Sequence, residues 1–93
     1  MLTLVKLALR RTDTTFDTEI QQIIDDCISE LTMLGIYRGS MESDKQIIEA
    51  VILYAKWHFG QNEDAERYRE FYYDKVQKLQ IAKGYGAWTE ANV

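Results

Sequence analysis

Few side chains in this sequence could take part in catalysis or hold a cofactor, and their spacing decides against most of them. His58 is the one histidine and Cys27 the one cysteine, so a zinc centre of imidazole and thiolate ligands lacks the partners it needs. His58 lies one turn after Tyr54 and beside Trp57, which suits a packed or half-buried ring better than a metal ligand. Cys27 falls on an apolar stripe and reads as a small buried hydrophobe; a lone thiol forms no internal disulfide and fits a reducing cytosol. Asp25 and Asp26 are adjacent, so on a helix they project to different sides and read as solvated charges rather than an acid/base dyad. Gly84-Tyr85-Gly86 has no following helix on which to rest a phosphate, and no other glycine-rich phosphate loop occurs. The pattern points away from an enzyme, and it implies no cofactor and no metal.

Composition narrows the class further. Ninety-three residues make a single domain over 1–93, near the small end of what one core supports, with about 60–65% of the unfolded chain's surface buried on folding. Proline is absent, and the five glycines, at 35, 39, 60, 84 and 86, sit where helices should end or in the C-terminal stretch, which is how a helical bundle is punctuated. The net charge of −4 opposes a protein that grips nucleic-acid phosphates. That charge is uneven: residues 1–11 carry +3, residues 12–66 carry −9 and residues 67–93 carry +2. Such blocks suit either an ordinary solvated surface or basic ends that meet the acidic middle of a neighbouring copy. Leu2 to Leu9 is too short to span a bilayer and lacks the leading charge and cleavage site of a signal peptide.

The elements that must position these residues are helices. The stretch from Lys45 to Phe59 has apolar residues at 47, 48, 51, 52, 55 and 59, the helical period, and Leu53, Tyr54 and Trp57 widen the stripe until several sides need covering. Residues 44–59 are therefore expected to form the central helix, with Ser43 and Gln46 as a capping box, Gly60 as its stop, and Lys45, Glu49 and Lys56 on a narrow outward strip where Lys45 and Glu49 pair. A helix over 17–34 buries Ile20, Ile23, Ile24, Cys27, Ile28, Leu31 and Leu34, with Asp17 accepting from the free amides of its first turn. Gly35 ends it, and Ile36 folds back on the last turn. Residues 3–10 are expected to be a short helix capped by Thr3, with Leu4, Leu7 and Ala8 on one face, although the alternation there would also suit a strand. After the tight Gln61-Asn62 connection, a helix over 63–82 runs back antiparallel, capped by Asn62, with Ala65, Tyr68, Tyr72, Val76 and Leu79 inward. Residues 83–93 lose periodicity. The expected fold is all-α: a four-helix bundle, one helix short and N-terminal and three longer, with an irregular C-terminal tail.

The aromatic content exceeds what such a bundle can hide. Seven of the eleven aromatic residues lie between positions 54 and 73, and Tyr68, Phe71, Tyr72 and Tyr73 span too much of one helix circumference to be buried together. Rigid aromatics with a polar handle are what protein interfaces favour. Tyr85 and Trp88 in the tail have no helix of their own chain to fold against, so they are either disordered or anchored on a partner, and anchoring is the reading adopted. The candidate interface residues are accordingly Arg10, Arg11, Tyr37, Arg38, Phe71, Tyr73, Tyr85 and Trp88.

Several ordered features together resemble the small helical head-tail connector, or adaptor, proteins of tailed bacteriophages that dock beneath the portal. They are Val5-Lys6 with Leu9-Arg10, Phe16-Asp17 with Glu19-Ile20 and Ile23-Ile24, Leu34-Gly35-Ile36, the Ile47 to Gly60 helix with Tyr54 and His58-Phe59-Gly60, Arg69 with Tyr72-Tyr73 and Leu79, and Lys83-Gly84-Tyr85. The resemblance spans Leu4 to about Tyr85 and includes no catalytic signature. It implies a structural virion protein, assembled in the bacterial cytoplasm as a homo-oligomeric ring of about twelve copies joined head to tail. That ring would sit beneath the portal protein, extend the DNA channel, and present a surface to the next neck or tail-completion protein. Genomic DNA would pass through without sequence-specific binding, and no membrane is involved. The alternative is a monomeric or dimeric helical adaptor or regulatory domain that binds a protein through its aromatic surface. A helix-turn-helix DNA binder needs a basic recognition helix, and the central helix offers two lysines on an apolar cylinder.

Overall fold

The computed structural model describes residues 1–36, 43–59 and 63–82. Four helices follow in order, α1 (Leu2–Ala8), α2 (Asp17–Met33), α3 (Lys45–His58) and α4 (Ala65–Ile81), and no strand occurs among the described residues. The all-α expectation holds, and the ambiguous first element is a helix. Residues 83–93, with the expected tail, lie outside the described residues, as do Gly60 and Asn62.

The most apolar helix organises the packing. α3 contacts α1, α2 and α4, while α1 also contacts α2. Ile47, Ala50, Val51 and Ala55 of α3 are buried together with Val5, Ile20, Ile24, Cys27, Leu31, Ile36, Tyr72, Val76 and Leu79. Small Ala50 and Ala55 on the buried side let neighbouring helices approach, and the aliphatic residues around them fill the space. The α3–α4 hairpin is antiparallel: Lys75, past the middle of α4, reaches Glu49 in the first half of α3, and the Tyr68 ring in the first turn of α4 lies 5.4 Å from the Lys56 ammonium near the end of α3.

Helix ends follow local chemistry, with four departures from expectation. α4 begins at Ala65 with Asp64 in the N-cap position, two residues later than expected. Asp44, rather than Ser43, caps α3: its extended backbone (ψ 120°) lets Oδ1 accept from Gln46 N at 2.9 Å and Ile47 N at 3.2 Å. A carboxylate there satisfies two amides and also opposes the positive end of the helix dipole. α1 begins after Met1 with no side-chain cap, so Thr3 lies inside the helix. Asp17 opens α2 behind Phe16 but makes no cap; its Oδ1 takes the Lys6 ammonium at 2.7 Å instead, which ties α1 to α2.

Both α1 and α2 end in the same hydrogen-bonded reversal. In α2, Ile36 N donates to Leu31 O at 2.9 Å and Gly35 N to Thr32 O at 3.0 Å, with Gly35 at φ 81° and Ile36 fully buried. That is the Schellman arrangement, in which a left-handed residue turns the chain and a following apolar residue packs back. In α1, Arg11 N donates to Lys6 O at 2.9 Å and Arg10 N to Leu7 O at 3.1 Å, and the left-handed position, φ 59°, is held by Arg10. An arginine there carries a steric cost that a glycine avoids.

Two further expectations are corrected. Leu34 falls one residue beyond α2 and is 40% exposed rather than buried, because the reversal at Gly35 swings it outward. Glu49 pairs across the hairpin with Lys75 at 2.9 Å. Lys75 comes from the opposing helix, so part of the expected outward strip is an interhelical contact.

Candidate assembly interface

The aromatic residues separate into an inner layer and an outer one. Tyr72 is fully buried and meets Tyr54 at 5.2 Å and Trp57 at 5.9 Å between ring centroids. Its hydroxyl donates to Glu30 Oε2 at 2.5 Å, and the Cys27 thiol points to that hydroxyl at 3.9 Å. A Tyr hydroxyl buried between helices needs such an acceptor, and Glu30 supplies it from α2. Burial, then the neighbouring thiol and Glu30, push Tyr72 well above the ordinary tyrosine range. Burial pushes the Cys27 thiol up to about 12, against the hydrogen bond to Tyr72. The thiol therefore stays protonated and packs as the hydrophobe its position suggests, since nucleophilic cysteines require the thiolate. Tyr54 rises to about 12, mainly through burial and then the charge of Glu30. This cluster is a structural tie between α2, α3 and α4.

The His58 ring lies 4.2 Å from that of Tyr54 and 4.0 Å from that of Trp57, tilted by 41° and 36°, and the residue is exposed. Partial desolvation lowers its pKa, and the carboxylates of Glu30 and Asp26 oppose that shift. No group of three or more His, Cys, Asp or Glu residues suited to a metal occurs among the described residues.

The outer layer contains the expected interface residues, and it does not form one patch. Phe71 and Tyr73 flank Tyr72 on opposite sides of α4, 49% and 39% exposed. Phe71 lies 6.4 Å from Tyr68, whereas Tyr73 leans on Trp57 beneath the Arg69 guanidinium, 5.6 Å from its ring. Arg10 and Arg11 stand at the end of α1, which packs on α2 and α3. Arg10 is exposed; Arg11 is half-buried, its guanidinium 4.8 Å from the Phe16 ring and 5.4 Å from the Phe59 ring. Phe16 and Phe59 meet edge to face at 5.5 Å, so Arg11 completes an intramolecular cation–π stack. Tyr37, Arg38, Tyr85 and Trp88 lie outside the described residues.

Sequence reasoning missed other exposed apolar residues. Leu4 and Leu7 share a face of α1, as expected, but that face points outward, at 47% and 63% exposure, while Val5 takes the core position. Met33 at the end of α2 and Ile81 at the end of α4 are 88% and 86% exposed. A signal was present in α1: leucines at 2, 4, 7 and 9 surround the helix, and one short helix can turn only one side to a core.

Comparison with known proteins then supplies the class. The family model described as "Phage connector protein" matches residues 1–86. The chain belongs to the phage connector protein family. No curated protein and no solved structure matches it. A connector is a structural component of the phage particle, not an enzyme, which accords with a tyrosine–glutamate–cysteine cluster that serves packing. The connector is also a bundle whose described helices are too short or too polar to cross a membrane.

Proposed function

We propose that this connector assembles as a head-to-tail ring beneath the portal, prolongs the DNA channel, and gives the next neck or tail-completion protein its landing surface. The observation that carries this reading is the distribution of exposed apolar side chains. Leu4 and Leu7 on α1, Met33 on α2 and Phe71 on α4 stand exposed on three different helices. A single small partner covers one side, whereas a subunit within a ring is contacted on two sides by sister copies and on its ends by other proteins. Distinct patches on one subunit are also what a cyclic, heterologous contact requires. Arg10, Phe71 and Tyr73 take part from the described surface, and Tyr37, Arg38, Tyr85 and Trp88 are assigned to the same contacts. Arg11 serves them indirectly, by fixing the turn after α1. An acidic or neutral channel wall would let DNA slide past without adhering, since retention on DNA depends on cationic contacts.

Co-expression with the portal protein of the same phage tests this reading. Purification through a tag on the portal should retain the connector in many copies, visible as an added ring in negative-stain images. A connector that stays in the flow-through and is monomeric at every concentration would remove ring assembly from the account. Recovery of one copy or two on a different virion protein would favour the adaptor alternative.

A further inference from the structure

Building on the ring reading, we propose that α1 of one connector subunit lies antiparallel across the outward face of α2 in the next, with Leu4 and Leu7 against Met33 and Arg10 beside Asp26. Three observations lead there. The first is charge. α2 carries Asp17, Glu19, Asp25, Asp26 and Glu30 and no lysine or arginine, whereas residues 1–11 carry three cations and no acid. Within the subunit Asp17 takes Lys6 and Glu30 takes the Tyr72 hydroxyl. Asp25 and Asp26 accept from the Gln21 and Gln22 amides at 2.9 Å, and no lysine or arginine among the described residues pairs with them. Arg10 is likewise exposed and without an ion-pair partner among the described residues.

The second observation is spacing. Gln22, Asp26, Ser29 and Met33 recur at helical intervals on the side of α2 opposite Ile20, Ile24, Cys27 and Leu31, and all four are exposed. Along that stripe Asp26 and Met33 are about 10 Å apart at 1.5 Å per residue, and on α1 Leu4 and Leu7 stand exposed while Arg10 follows two residues past the helix end at Ala8. An antiparallel pairing therefore brings acid to cation at one end and leucine to methionine at the other. The third observation is strain. Arg10 occupies the left-handed position that ends α1, where the equivalent residue of α2 is Gly35. A side chain kept against that steric cost points to a use for it, and the contact with Asp26 supplies one.

Charge reversal and its rescue test the contact, with the full chain studied by sedimentation velocity alone and on the portal. Arg10→Glu and Asp26→Arg should each weaken subunit association by about tenfold or more, and the double variant should recover most of the loss. Met33→Glu, at a side chain 88% exposed, should weaken association without lowering the melting temperature. Arg10→Gly separates the two roles of that residue: melting temperature rises while association falls. If the wild type assembles and the single reversals assemble equally well, or the double variant is no better than the worse single one, this contact is wrong and the ring stands. If the wild type is monomeric in solution and absent from the portal, the ring reading fails and the contact with it.

Discussion

Tyr72 and Phe71 are adjacent on α4, yet one lies at the centre of the hairpin and the other half in solvent. Around Tyr72 every neighbour is prepared: two aromatic rings from α3, a carboxylate and a thiol from α2. Among the described residues the one ring that meets Phe71 is Tyr68, edge to face at 6.4 Å. The same contrast separates the inner faces of α1 and α2, with Val5 and Ile20 fully buried, from their outer faces, where Leu7 and Met33 stand exposed. Residues with many internal partners hold the subunit together, and those with few are free to hold subunits to one another. Stability and assembly should therefore respond to different substitutions.

The largest effect is expected at the inner layer. Tyr72→Ala empties the junction of three helices and should cost about 3–5 kcal/mol in chemical unfolding, enough to take assembly down with the fold. Tyr72→Phe keeps the ring but leaves the Glu30 carboxylate without its donor, a loss of about 1–3 kcal/mol. At the outer layer, Phe71→Ser should change stability by no more than about 1 kcal/mol while reducing retention on the portal. A Phe71→Ser protein that melts far below wild type would erase the distinction between layers. Arg10→Gly should stabilise the isolated subunit by about 0.5–1 kcal/mol, since glycine adopts the left-handed turn freely. Its measurement is the melting temperature of a monomeric sample.

The smallest effect concerns pH. The hydrogen bond from Lys75, and then its charge, hold the Glu49 carboxyl below the ordinary glutamate range. With the folded value depressed, this pairing stabilises the fold above the ordinary glutamate pKa and is lost as pH falls through the folded one. Lys75→Met should therefore shallow the acid side of a melting-temperature profile below about pH 5, and an unchanged profile would remove the pair from the stability of the hairpin.

The helices were legible because apolar spacing and the punctuating Gly35 act locally: Ile20 to Leu31 on α2 and Ile47 to Ala55 on α3 are buried as their period requires. The reversal at Gly35-Ile36 was legible for the same reason. Caps were less so, since Ser43 and Asp44 are both competent and only the backbone entry angle at Asp44 selects between them. Partners across helices were not legible at all. Glu30 with Tyr72, Lys75 with Glu49 and Arg11 with Phe16 are separated along the chain, and no local rule pairs them. In α1 the leucines on all sides left the inward face undetermined, and Val5 rather than Leu4 or Leu7 turned to α3 and the core. Reversing the charge of Arg11 would remove its cation–π stack and disturb the subunit itself, so charge reversal at Arg10 is the better probe of assembly.

The central claim is that sister copies cover the apolar surface this bundle leaves open. The most direct test is the mass of the purified portal–connector complex by native mass spectrometry. The account predicts a discrete species in which each portal ring carries a full ring of connector subunits. A portal that emerges bare, beside connector that is monomeric at every concentration, would contradict it.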